Sequence, residues 1–110
     1  MVIVKLNGKE YECKPNFSFI ERVEERFTLL EFLHATTKAN IKISQVAWVI
    51  YSALRANDYE VEYSKVGEEV VKELAEANIS AIELVSGSLQ GGPKQEIKKK
   101  KEPKVTDGQE

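Results

Sequence analysis

Cysteine is nearly absent from this chain of 110 residues: Cys13 stands alone. That excludes an intrachain disulfide framework and makes a reducing compartment the simplest setting. Histidine is as scarce, and His34 has neither a cysteine nor a second histidine at ligand spacing, so a structural or surface role is expected for it and a bound metal is not. Phosphate-loop and nucleophile motifs are missing too. Gly67 lacks the Gly-Lys-Ser/Thr end of a phosphate loop, and Gly87, between Ser86 and Ser88, is no nucleophile elbow. The longest apolar run, Val46 to Tyr51, is far too short to span a bilayer. Near the start, Val2-Ile3-Val4 meets Lys5 at once and leaves no apolar stretch of signal length. Together these absences predict a cytosolic, non-enzymatic protein that carries no cofactor and contacts no membrane.

What is present changes character at Gly91-Gly92-Pro93. Residues 1–90 hold 10 Lys+Arg against 14 Asp+Glu, net -4, and residues 91–110 hold 6 against 4, net +2. The overall charge of -2 therefore hides two opposite parts. A folded body is predicted over 1–90 and a flexible, lysine-rich tail over 91–110. A body of this size buries only roughly 60 to 65% of the surface its unfolded chain exposes, so its elements must stabilise one another. Its acidity offers no basic face to DNA. Through Lys94 and Lys98 to Lys104 the tail would hold nucleic acid only weakly and in a salt-sensitive way, because Glu96 and Glu102 dilute the charge and no aromatic residue interleaves it.

The first 14 residues spell a β-hairpin. Asn7-Gly8 is the preferred two-residue type I′ turn, and it pairs Leu6 with Lys9, Lys5 with Glu10, Val4 with Tyr11, Ile3 with Glu12 and Val2 with Cys13. Alternation then gathers Val2, Val4, Leu6, Tyr11 and Cys13 on one face and leaves Lys5 beside Glu10 on the other. An isolated hairpin is marginal in water, so the apolar face must pack on the helices that follow or on another chain. Its open edges also invite strand addition by a partner.

After Pro15 the apolar period lengthens to that of a helix. Ser18 with Glu21, Thr28 with Glu31 and Ser80 with Glu83 have the spacing of capping boxes and predict three helix starts. In the first helix Ile20, Val23 and Phe27 share a face; the second carries Leu29, Leu30, Phe32 and Leu33, and the last Ile82, Val85 and Leu89. Two more are predicted over Ser44 to Ala56 and Ser64 to Ala77. In the latter Val66, Val70 and Leu74 face inward, and Glu68 stands four residues before Lys72 in the favourable order for an exposed pair.

The central helix is the most apolar. Val46, Ala47, Val49, Ile50, Ala53 and Leu54 fill one arc, with Tyr51 at its margin and Trp48, Ser52 and Arg55 opposite. Trp48 reads in two ways: as an exposed partner anchor, since Trp and Arg are enriched at binding hot spots, or as a residue packed under a neighbouring helix. Cys13 reads as a small buried hydrophobe. Glu21, Glu24, Glu25 and Glu31, interleaved with Arg22 and Arg26, read as a solvated helix face rather than as paired catalytic acids.

In its order of elements the chain resembles the tail assembly chaperones of long-tailed bacteriophages and the related gene-transfer-agent proteins. The likeness runs over about residues 2–90. It comprises the hairpin Val4-Lys5-Leu6-Asn7-Gly8-Lys9-Glu10-Tyr11-Glu12, the aromatic and Glu-rich helix beginning Phe17-Ser18-Phe19-Ile20-Glu21, the Leu-rich turn Leu29-Leu30-Glu31-Phe32-Leu33, and the apolar helix Val46-Ala47-Trp48-Val49-Ile50. Relatives usually carry a glycine after the Glu-rich helix, where this chain runs from Arg26 into Phe27-Thr28. The resemblance implies a non-enzymatic role in virion morphogenesis in the host cytoplasm, with the tape measure protein and the tail tube protein as partners. Many such genes also make a longer product by programmed frameshifting. Lys98-Lys99-Lys100-Lys101 fits an adenine-rich slippage site, which would make this chain the short product and its longer form a further partner.

The expectation is thus an α+β fold, an N-terminal hairpin packed on four to five helices and followed by a flexible tail. Partner contacts are expected at Val2, Val4, Leu6, Tyr11, Trp48 and Arg55. A small structural or adaptor subunit of the phage particle, or a weak nucleic-acid binder acting through the tail, are the alternatives.

Overall fold

Asn7 and Gly8 adopt φ of 53° and 76°, the left-handed pair that a type I′ turn requires. They close an antiparallel hairpin of β1 (Val2–Leu6) and β2 (Lys9–Cys13) whose five pairs, from Val2 with Cys13 to Leu6 with Lys9, are those the turn predicts. The computed structural model describes residues 1–90. The expectations placed on 91–110, a flexible tail, its nucleic-acid contacts and the slippage site, lie outside the described residues. After the hairpin come α1 (Phe17–Val23), α2 (Leu29–Thr37), α3 (Ile43–Ala56), α4 (Tyr63–Lys72) and α5 (Leu74–Leu89), an α+β fold.

The apolar face of the hairpin is used within the chain. Val4, Leu6 and Cys13 are buried and Val2 and Tyr11 partly so, with β1 lying on α5 and β2 against α3. On the outer face Lys5 Nζ stands 3.9 Å from Glu10 Oε2, an exposed pair of little energetic weight.

Asn16, not Ser18, caps α1: its Oδ1 accepts the Phe19 N–H at 2.9 Å, and Ser18 lies inside the helix. Phe19, which the pattern passed over, is fully buried. The helix ends at Val23 in a turn closed by Arg26 N–H to Val23 O at 3.1 Å. No residue of that turn has a positive φ, so the break from α2 needs no glycine. The Thr28–Glu31 box is formed in both directions, at 3.0 and 2.8 Å. Of the four large apolar residues that this helix carries, Leu29 and Phe32 are buried and Leu30 points outward.

The side of α3 expected to be polar is covered at its middle. Trp48 is 8% exposed and Ser52 fully buried, although both were expected opposite the apolar arc. The reason is tertiary: α1, α4, α5 and β2 all pack against this helix. It ends with Asp58 at φ 69° and the Tyr59 N–H on the Leu54 carbonyl at 3.0 Å, the hydrogen bond of a Schellman motif.

The largest departure lies in the last third. A helix from Ser64 to Ala77 and a new start at Ser80 were expected, whereas α4 stops at Lys72 and α5 runs from Leu74 straight through Ser80. Only Glu73, at φ -128° and ψ 46°, interrupts them. Helical bonding resumes at once, with Ala77 N–H on Glu73 O at 2.9 Å. Ser80 is buried, its Oγ 3.5 Å from the Ile3 carbonyl of β1, so packing overrides its capping signal. The small residues Ala77, Ser80 and Ala81 form the contact face with Leu84 and Val85, while Leu74, expected to face inward, is 37% exposed and Leu89 43%. Lys72 pairs with Glu69 at 3.4 Å rather than with Glu68.

Candidate binding groove

Between the tip of the hairpin, the last turn of α3, the connector that follows it and α4 lies a groove of about 730 Å3. Leu6 and Tyr11 line it from the hairpin, Leu54 and Arg55 from the last turn of α3, Val61 from the connector, and Lys65 and Val66 from α4. Leu6, Leu54 and Val66 form a buried apolar floor, and Tyr11 stands edge-on to Tyr59 with ring centroids 4.9 Å apart. Around the rim lie Lys9, Arg55 and Lys65 among Glu60, Glu62 and Glu69. Among the described residues the ion pairs are Lys5–Glu10 and Lys72–Glu69, so the three cations of the rim have no carboxylate partner. An apolar floor under unpaired charges can take up apolar side chains of a partner and offer its backbone or acidic groups hydrogen bonds.

Three of the six expected contact residues, Leu6, Tyr11 and Arg55, thus come together. Val4 does not join them, being fully buried, and Val2 packs partly buried against the core. Trp48 is closed off, two turns of α3 from Arg55. Its Nε1–H is shared between the carbonyls of Arg22 and Val23 at 3.1 and 3.3 Å. The Arg26 guanidinium lies 3.9 Å above its ring, and Tyr51 and Tyr63 each stand 5.5 Å away. This is a packed structural box, in which the indole N–H is satisfied and one face carries a cation–π contact. The exposed-anchor reading of Trp48 is therefore set aside.

Sequence patterning missed Val61 and Lys65 as groove residues. Val61 sits in a connector with no period; its one signal was being an isolated apolar residue between Glu60 and Glu62.

The same end of α3 is anchored by an amide clamp at its C-cap, Asn57. Asn57 accepts the Lys14 N–H at 3.0 Å and donates to the Lys14 and Ala53 carbonyls at 3.1 and 2.8 Å. It ties the end of β2 to the end of α3 and so fixes one wall of the groove against another.

The remaining reactive groups lie apart. Cys13 is fully buried, and burial pushes its thiol up to about 12 from its usual 9.0. Glu21, Glu24, Glu25 and Glu31 are exposed, as is His34. Among the described residues no three His, Cys, Asp or Glu side chains gather to hold a metal ion, and no helix is long and apolar enough to cross a membrane.

Compared with protein-family models, with curated proteins and with solved structures, the chain matches none. The groove has to be read from its own chemistry.

Proposed function

We propose that this chain is a tail assembly chaperone of the long-tailed phage type, a non-enzymatic protein that binds the tape measure protein and keeps it soluble while tail tube subunits assemble around it. The observation that supports this reading is the convergence of Leu6, Tyr11 and Arg55 on one groove with an apolar floor and unpaired cations at its rim. A chaperone of this kind must bind apolar segments reversibly. The floor buries side chains of the client, the half-open shape limits how much is buried, and an acidic body keeps the complex in solution.

Co-expression with the long helical tape measure protein encoded nearby tests the proposal. A raised soluble fraction of that protein and a complex that survives purification are expected. Recovery of this chain at high copy from finished particles, with no effect on tape measure solubility, overturns it in favour of a structural subunit. In the same proposal this chain is the shorter product of a frameshifting gene. Lysine codons that break the adenine run at Lys98 to Lys101, with no overlapping downstream frame, would remove that part.

A further inference from the structure

The register of the hairpin fixes which backbone groups stand on its outer edges. A two-residue turn makes its flanking pair, Leu6 and Lys9, a hydrogen-bonded pair, and such pairs alternate along an antiparallel ladder. Val4 with Tyr11 and Val2 with Cys13 are then bonded across the hairpin. On β2 the N–H and C=O groups of Glu10 and Glu12 therefore point away from β1, with Lys14 next along the same edge.

This edge is covered at one end only. Asn57, at the start of the connector, accepts the Lys14 N–H at 3.0 Å and donates to the Lys14 carbonyl at 3.1 Å, the two bonds that a residue of a neighbouring antiparallel strand would make. Two residues on, the Tyr59 hydroxyl donates to the Glu12 carbonyl at 3.4 Å. The connector bonds β2 no further. Among the described residues the Glu12 N–H and both backbone groups of Glu10 have no protein partner. At that point Glu60, Val61 and Glu62 share the groove with Lys9 and Tyr11, the residues on either side of Glu10. The connector thus stands in for a third strand along one half of β2 and gives way to the groove along the other.

Unpaired ladder groups select the form of an occupant. A helix spends its N–H and C=O groups on itself, whereas an extended segment can bond Glu10 and Glu12 and sets alternate side chains on the two faces. On the outer face Glu10 and Glu12 are exposed, and Glu12 has no ion pair among the described residues. Cross-strand partners of opposite charge stabilise a ladder and like charges weaken it, so Lys or Arg belongs there. On the inner face the segment lies beside Tyr11 at the apolar groove. A second copy does not fit. In each register that uses the free groups, β2 against β2 sets a glutamate opposite a glutamate, and β1 against β2 of the next copy is a contact that does not close.

We infer, resting on the groove as the binding site proposed above, that the edge of β2 at Glu10 and Glu12 takes an extended segment of a partner protein as an antiparallel third strand. The segment alternates Lys or Arg on its outer side with apolar residues toward the groove.

The test titrates the full chain against seven-residue peptides by fluorescence anisotropy. A peptide alternating Lys with Val is expected to bind, and one alternating Glu with Val to bind at least about tenfold more weakly. Paired residues share a face, so in the Lys peptide the Lys N–H groups meet β2 and the Val N–H groups point away. N-methylation of the Lys residues should cost about tenfold or more, and N-methylation of the Val residues should leave binding within about threefold. Glu10→Pro removes an N–H that the hairpin itself does not use, and should weaken the Lys peptide by about tenfold or more. Lys5→Pro, the same change on the outer edge of β1, should leave it bound.

Binding of no peptide overturns the inference and leaves the groove itself to the co-expression experiment. Binding that the two methylations affect alike means a groove ligand that adds no strand, which overturns the inference while the groove stands. Equal losses with Glu10→Pro and Lys5→Pro also overturn it. A dimer of the full chain in sedimentation equilibrium that Glu10→Pro dissociates makes a second copy the occupant instead, and overturns it too.

Discussion

Two stretches of α3 lie two turns apart and face opposite circumstances. Around Trp48 every polar atom of the ring is engaged and the surrounding aromatics and Arg26 close the space. Around Arg55 the apolar floor is built but the charges above it stay unpaired and the space is open. Both residues belong to types that dominate binding surfaces, so residue type does not separate a closed site from an open one. What separates them is the neighbour. α4 begins at Tyr63 and lays that ring against Trp48, whereas beside the last turn of α3 the connector over 57–62 leaves a groove with Arg55 half-buried at its rim. The first stretch holds the fold together; the second is left with capacity to bind.

The largest effect expected from this contrast is at Trp48. Trp48→Ala should cost about 3–5 kcal/mol of unfolding free energy in urea melts, because it empties a packed site and orphans the contacts of Arg26 and Tyr63. A cost below about 1 kcal/mol would mean the box is not closed in solution, and would break the comparison.

Asn57→Ala should follow, at roughly 1–2 kcal/mol, since it removes three hydrogen bonds and leaves the Lys14 N–H without its partner, while the Lys14 and Ala53 carbonyls keep backbone donors. Loss of the clamp should also loosen the hairpin against α3, read as faster amide exchange in β2 than in α5.

Cys13 sharpens the closed side through pH. Its thiol is raised in the fold, so the neutral form is the one the fold favours. The stability this confers is complete below the usual value of 9.0 and is lost as pH climbs toward 12. Wild type should therefore lose more melting temperature between pH 9 and 11 than Cys13→Ala does. Parallel curves would show the thiol to be exposed.

Asp58→Gly is the mildest of the stability changes. The residue sits at φ 69°, where glycine is unstrained, and a gain of about 0.5 kcal/mol in urea melts is expected. Since Asp58 only ends the helix, the groove should bind as before.

The hairpin could be read in full from the chain, register and faces included, because a two-residue turn fixes both strands through local geometry. The Thr28 box was legible for the same reason. Ser80 shows where local reading fails: its capping signal is as good as that of Thr28, yet burial against Ile3 makes it an interior helix residue. Trp48 fails similarly, since four elements converge on α3 and cover the side on which it stands. Of the groove, Leu6 and Tyr11 were legible from the apolar face of the hairpin, and Arg55 as a charged residue near the end of α3. Val61 and Lys65 were not, because they come from a connector and the helix after it, whose approach to the hairpin is set only by tertiary packing.

The central claim is that the open end of α3 binds the client and the closed stretch does not. The direct measurement is the soluble fraction of the tape measure protein on co-expression with wild type and with Arg55→Glu. Arg55 makes no ion pair among the described residues, so the variant should keep its stability within about 0.5 kcal/mol. Wild type is expected to hold the client soluble and Arg55→Glu to lose most of that effect. Equal solubility with the two proteins would contradict the account.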